Sequence, residues 1–113
     1  MRIIALSTLK RFVDGLAGHR DQAAVKKALD LWYDAVSKAD WSNASDVKRQ
    51  FAAASIVSAE RIVFNIKGND YRLIVATDFE RKIIFIKWLG NHAEYDKVNA
   101  REIDYARPKT DPN

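Results

Sequence analysis

Arg61-Ile62-Val63-Phe64-Asn65-Ile66-Lys67-Gly68-Asn69-Asp70-Tyr71-Arg72-Leu73-Ile74-Val75-Ala76-Thr77-Asp78-Phe79-Glu80-Arg81-Lys82-Ile83-Ile84-Phe85-Ile86-Lys87-Trp88 is the stretch that decides the fold. It holds three runs rich in β-branched and aromatic residues, parted by two turn signals: Gly68-Asn69, and the polar span opening at Asp78. Such runs are strands, and short turns between them make an antiparallel meander. With Gly68 and Asn69 as the loop, Lys67 pairs with Asp70, Ile66 with Tyr71 and Asn65 with Arg72. With Asp78-Phe79-Glu80-Arg81 as the second loop, Thr77 pairs with Lys82, and counting back sets Arg72 opposite Lys87.

Directly opposed residues project to one side and successive residues alternate. One face then carries Ile62, Phe64, Ile66, Tyr71, Leu73, Val75, Ile84, Ile86 and Trp88, and is the face for a core. The other carries Asn65, Lys67, Arg72 and Lys87 at one end, with Val63, Ile74, Ile83 and Phe85 beyond them. Three cations and an amide on one side of a sheet suit a phosphate. Cations on an open sheet face are more often merely solvated, and a one-residue slip would scatter the group.

Upstream, the period changes. Ser7 or Thr8 is placed to cap a helix to about Leu16, with Leu9, Phe12, Val13 and Leu16 on one side. A stronger helix begins at Asp21, where Val25, Ala28, Leu29, Trp32 and Val36 recur at helical spacing and Lys26, Lys27 and Lys38 fall elsewhere. Trp41 reads as a core anchor, and Ser42-Asn43-Ala44-Ser45 as a turn before a helical turn from Val47 to Phe51. Helices followed by an antiparallel sheet are α+β, and the 113 residues amount to one domain, 1–113.

Composition limits the chemistry. Hydrophobic residues are 48% and charged residues 30%, a globular balance. The chain has no cysteine, and its two histidines, His19 and His92, are far apart in sequence, so neither thiolate chemistry nor a metal site is expected. The apolar run Met1-Arg2-Ile3-Ile4-Ala5-Leu6 is too short for a signal peptide or a membrane span, which points to a cytoplasmic protein without a membrane partner. A net charge of +4 leans weakly towards a polyanionic partner.

After the third strand comes Leu89-Gly90-Asn91-His92-Ala93-Glu94-Tyr95-Asp96-Lys97-Val98. Asn91 can cap a short helix, and Glu94, three residues on, suits the reciprocal half of a capping box. His92 and Tyr95 then share a helical surface beside the end of the strand that carries Lys87. Imidazole changes charge near neutral pH, and a phenol can orient or donate a proton. Cutting RNA without a metal needs a base for the 2′-hydroxyl, cations for the phosphoryl oxygens and an acid for the leaving oxygen. Arg72, Lys67, Lys87, His92 and Tyr95 are candidates for these parts. A lone histidine more often only caps or packs.

Two motifs carry a family resemblance. Val63-Phe64-Asn65-Ile66-Lys67-Gly68-Asn69-Asp70-Tyr71-Arg72-Leu73 resembles the Val-Phe-Asn-Ile-Gly-Gly-Asn-x-Tyr-Arg-Leu signature of HigB toxins. Asn91-His92-Ala93-Glu94-Tyr95-Asp96-Lys97 is similar to that family's Thr-His-Ala-Glu-Tyr-Asp-Lys. The resemblance is densest from Phe51 to Val98 and includes the order and spacing of the motifs. It implies a RelE-like fold and a toxin of a type II toxin–antitoxin system. It also implies an endoribonuclease acting on mRNA on the translating ribosome, and a HigA-like antitoxin with a helix-turn-helix domain. The resemblance points to Arg72, His92 and Tyr95 as the catalytic residues, with Asn69 and Lys97 nearby on the RNA; Lys67 and Lys87, from the basic cluster, complete the expected RNA-binding set, and no cofactor or metal is expected. Lys67 stands where the family has glycine, and Asn91 where it has threonine. The alternatives are a non-catalytic RNA- or ribosome-binding module on the same scaffold, or a protein-binding domain with a basic face.

Overall fold

The computed structural model describes residues 1–104, so the domain span 1–113 runs past the described residues at its C-terminal end. The elements, in order, are β1 (Arg2–Ile4), α1 (Leu6–Asp14), α2 (Gln22–Ser37), α3 (Ala44–Gln50), β2 (Ser55–Ser58), β3 (Arg61–Ile66), β4 (Tyr71–Asp78), β5 (Ile83–Asn91) and α4 (His92–Tyr95). The strands form one five-stranded sheet in the order β1-β5-β4-β3-β2. β3, β4 and β5 are the expected antiparallel meander, and this helix-plus-sheet arrangement is α+β and consistent with a RelE-like fold.

Both sheet edges were hidden in the sequence. β1 lies parallel to β5, pairing Ile3 with Ile84, and the Met1 amino group donates to the carbonyls of Val36, in the last turn of α2, and of Ala39 just beyond it. β2 adds antiparallel to β3, with an irregularity between Ile56 and Ser58. Strands of three and four residues are too short to display an alternation.

The helices cover one side of the sheet. Leu9 of α1, Val25, Leu29, Trp32 and Val36 of α2, and Val47 of α3 bury against Ile62, Phe64, Ile66, Tyr71, Leu73, Val75, Ile84 and Ile86. Phe64 is the centre of an aromatic group, its ring 5.4 Å from Trp32, 5.1 Å from Phe51 and 6.3 Å from Trp41. Trp41 is the anchor its surroundings suggested, 3% exposed with its indole N–H on Gln50 Oε1.

Two expectations require correction. Neither Ser7 nor Thr8 caps α1: the helix starts at Leu6 behind Ala5, which makes no side-chain cap, and Thr8 is buried inside it. The second hairpin also differs. The β3–β4 register matches expectation, Ile66 with Tyr71 and Asn65 with Arg72. In β4–β5, however, Thr77 faces Ile84 and not Lys82, and Arg72 faces Gly90 and not Lys87. The loop lies one residue later than its polar composition suggested. In addition, a bulge places Lys87 between the pairs Val75–Ile86 and Ile74–Trp88. One extra residue inverts the alternation beyond it. Trp88 therefore leaves the helix side, and Leu89 takes its place in the core.

Candidate active site

The face away from the helices holds a second, smaller apolar group of Val63, Ile74 and Trp88. The end of α4 and the chain after it lie over it through Tyr95, Val98, Ala100 and Ile103. Arg61 anchors that segment, donating to the carbonyls of Ala100 (3.2 Å) and Ile103 (2.7 Å). The face expected to be open is thus partly roofed.

The bulge builds one end of this face. Trp88 folds across Gly90, where an added Cβ would collide with the indole ring and lie 2.9 Å from Glu94 Oε1. Only glycine lets the tryptophan lie flat there. Tyr95 meets Trp88 at a ring separation of 6.4 Å. Arg72, opposite Gly90, lays its guanidinium over the Tyr95 ring at 5.7 Å and donates through Nη1 to the Asn69 carbonyl at 2.8 Å. The guanidinium is thereby held between a turn carbonyl and an aromatic face, its remaining N–H groups left for a ligand.

The turn has its own geometry. Lys67 (φ 54°) and Gly68 (φ 64°) are both left-handed, and Asp70 N–H closes the turn on the Lys67 carbonyl. Lys67 is the non-glycine residue at the position where the resembled family has glycine, and the positive φ explains that preference. Its ammonium is 2.7 Å from Asp70 Oδ2 and 3.7 Å from Asp21 Oδ1. The hydrogen bond to Lys67 holds the Asp70 carboxyl below its usual range, and the same bond raises Lys67. Tyr71 is raised by burial and by donating to Asp21 Oδ2 at 3.1 Å.

α4 follows β5 directly. Its capping box is complete: Asn91 Oδ1 accepts from Glu94 N–H at 2.8 Å, and Glu94 Oε1 accepts from Asn91 N–H at 3.0 Å. The His92 N–H donates to the Asp70 carbonyl at 3.0 Å, which fixes the start of α4 to the β3–β4 turn. The His92 imidazole is half exposed, with Nδ1 3.7 Å from Asp96 Oδ2.

The predicted residues therefore separate into two sets. Arg72 meets the Tyr95 ring and the Asn69 carbonyl where the turn, β5 and α4 come together, and His92, at the start of α4, lines a groove with Asn69. Lys67 sits at the turn with its charge engaged by carboxylates, and Lys97 is exposed just beyond α4. Lys87, at the bulge, packs its ammonium over Phe85 (5.6 Å) and lies 3.6 Å from Asp104. It does not face Arg72 across the hairpin. Sequence reasoning missed Trp88 as a site wall. Gly90 was the available signal, since an isolated glycine in a strand marks a bulge or a close approach. It also missed an open groove of about 690 Å³ that brings His19 and Arg20 to the same edge as Asn69 and His92. Among the described residues no group of three or more His, Asp or Glu side chains is placed to hold a metal ion, and no helix is long and apolar enough to cross a membrane.

A family model described as HigB_toxin, the RelE-like toxic component of a toxin-antitoxin system, matches residues 25–98. The chain is also similar to a protein named mRNA interferase HigB from Escherichia coli O6:H1 (strain CFT073). The two are 30% identical over 73 residues, 63% of this chain and 71% of the relative. The matched span holds β3, β4, β5 and α4 entire, with the Arg72–Tyr95 contact and the capped His92 inside it. On the strength of that match this chain belongs to the HigB family, the RelE-like toxins of toxin–antitoxin systems.

Proposed function

We propose that this toxin is an endoribonuclease that cuts messenger RNA by attack of a 2′-hydroxyl on the neighbouring phosphate, with Arg72, His92 and Tyr95 as the catalytic residues. The observation that carries the reading is the fixed Arg72 guanidinium, set against Tyr95 by the Asn69 carbonyl at the end of the turn that also anchors His92. A pre-positioned cation at a phosphate stabilises the charge that grows on the phosphoryl oxygens, without reorganisation at the moment of reaction.

In this scheme the 2′-oxygen bonds to phosphorus as its proton leaves, and the bond from phosphorus to the 5′-oxygen breaks as that oxygen gains a proton. The products are a 2′,3′-cyclic phosphate and a 5′-hydroxyl. His92 moves the proton, because imidazole works as acid and base near neutral pH. Tyr95 orients the phosphate through its hydroxyl while its ring supports Arg72. Asn69 and Lys97 lie along the path of the RNA. Lys67 and Lys87 are held by carboxylates, so RNA would have to displace Asp70 and Asp21, or Asp104, to reach them.

The translating ribosome is the proposed setting, in the cytoplasm, and a HigA-like helix-turn-helix antitoxin is the proposed inhibitor. Induction of the chain alone in a bacterium tests this. Growth should stop and message half-lives should fall, and co-expression of the antitoxin should restore both. Normal growth and unchanged messages with soluble protein present would refute it. Arrest with intact messages would favour a non-catalytic ribosome-binding module.

A further inference from the structure

The groove beside the turn has two walls, and the matched family span covers only one of them. Asn69, Asn91 and His92 line the first wall. His19 and Arg20, from the loop joining α1 to α2, line the second, ahead of the matched span that begins at residue 25.

The second wall is built and fixed. The His19 N–H donates to the Leu16 carbonyl (2.8 Å), the His19 carbonyl accepts from Gln22 N–H (3.1 Å), and Gln22 Nε2 reaches back to the Val13 carbonyl (2.9 Å). Asp21 ties this loop to β4 by accepting from the Tyr71 hydroxyl (3.1 Å). The imidazole is held as well: His19 Nδ1 accepts from the Asp21 backbone N–H at 3.0 Å. A neutral ring that accepts at Nδ1 carries its proton on Nε2, so the ring edge away from the loop is a donor. The two carboxylates in the groove already have partners: Asp70 faces Lys67, and Asp21 faces Lys67, Arg20 and, at 3.9 Å, the Nδ1 side of His19. With a volume of about 690 Å³ the groove is within the range that holds a small ligand, about 300–1,000 Å³.

We propose that His19 contacts the RNA directly: its Nε2–H receives the phosphate next to the scissile one, and the exposed Arg20 guanidinium, 3.8 Å from Asp21, joins it only by leaving that carboxylate. The strand of RNA then runs between the α1–α2 loop and α4, and is gripped from both sides of the groove. This rests on the reading that Arg72, His92 and Tyr95 cleave RNA. His19 acts in binding, and the proton transfer stays with His92.

Three variants of the full chain, assayed by cleavage of a message on programmed ribosomes, test it. His19→Asn keeps a side-chain acceptor for the Asp21 N–H, and so keeps the loop, but has no group where Nε2 was. It should lower kcat/KM about 10-fold through KM, the scale of one hydrogen bond to a charged group. His19→Gln puts an amide N–H near the Nε2 position and should recover most of that loss. Arg72→Ala reports on the underlying reading through kcat. Wild-type kinetics in His19→Asn while Arg72→Ala is inactive would overturn the contact and leave the catalytic reading intact. Equal losses in His19→Asn and His19→Gln, with both variants melting as the wild type does so that the loop held by the Asp21 N–H is intact, would also overturn it, because a donor would then not be what matters. Full activity in Arg72→Ala would remove the catalytic reading, and the proposed RNA path with it.

Discussion

The two faces of the sheet are built from the same three strands and differ in what covers them. On the helix side, α1, α2 and α3 press onto Ile62, Phe64, Leu73, Val75 and Ile84, each 2% exposed or less. On the other side the apolar group is three residues wide, and the roof over it is Tyr95 at the end of α4 and the irregular chain from there to Ile103. The first face is filled by shape alone, so its residues answer to packing. The second is roofed at one end and polar at the other, and the polar end carries the Arg72–Tyr95 contact and the start of α4 with His92. Stability should therefore depend mainly on the first face and activity mainly on the second.

Phe64→Ala should have the largest effect. Removing a ring enclosed by Trp32, Trp41 and Phe51 leaves a cavity and costs about 3–5 kcal/mol, enough to unfold a domain of this size or bring it close. Denaturant melts should show the loss, and antitoxin binding and activity should fall together. A loss below about 1 kcal/mol would mean that this face is not the main core.

Gly90→Ala comes next and acts on the second face. The added Cβ has no room beside Trp88, so the indole must move away from Tyr95. The expected cost is about 1–3 kcal/mol of overpacking. The activity loss should be greater than that stability loss implies, because the Tyr95 ring also supports Arg72. A stable and fully active Gly90→Ala variant would show that the bulge does not set the site.

The contrast also explains what was legible in the sequence. The core face of β3 and β4 could be read because alternation and the Gly68-Asn69 turn give the same register. The capping box could be read because Asn91 and Glu94 are only three residues apart and both contacts are local. The β5 face could not be followed past Lys87, since a bulge depends on how Trp88 packs against Gly90 and Tyr95, a tertiary event with no period. The covering of the second face and the groove that His19 and His92 both line were equally out of reach. Both depend on contacts between segments far apart in the chain, Arg61 with Ile103 and Asp21 with Tyr71.

The smallest expected effect is at the turn between the faces. Lys67→Gly relieves a left-handed lysine but removes the ion pairs to Asp70 and Asp21. At neutral pH these oppose each other, and the melting temperature should rise by no more than a few degrees. Lys67 lowers the Asp70 carboxyl, so the pair's contribution is present above the ordinary carboxylate range and is lost as pH falls through the lowered value. The advantage of glycine should therefore grow in acid, measurable as the difference between wild-type and Lys67→Gly melts at pH 7 and at about pH 3. A difference that shrinks in acid would mean that the ion pairs do not stabilise the turn.

At the end of the second face, cleavage of RNA is assigned to 2′-hydroxyl attack on a phosphate held by Arg72. Mapping the chemical ends of the fragments made by the purified protein on programmed ribosomes tests it most directly. The expected fragments carry 2′,3′-cyclic phosphates and 5′-hydroxyls, and Arg72→Ala, folded as judged by its melt, should yield them about 100-fold more slowly. Fragments with 5′-phosphate ends, or cleavage by Arg72→Ala at the wild-type rate, would contradict it.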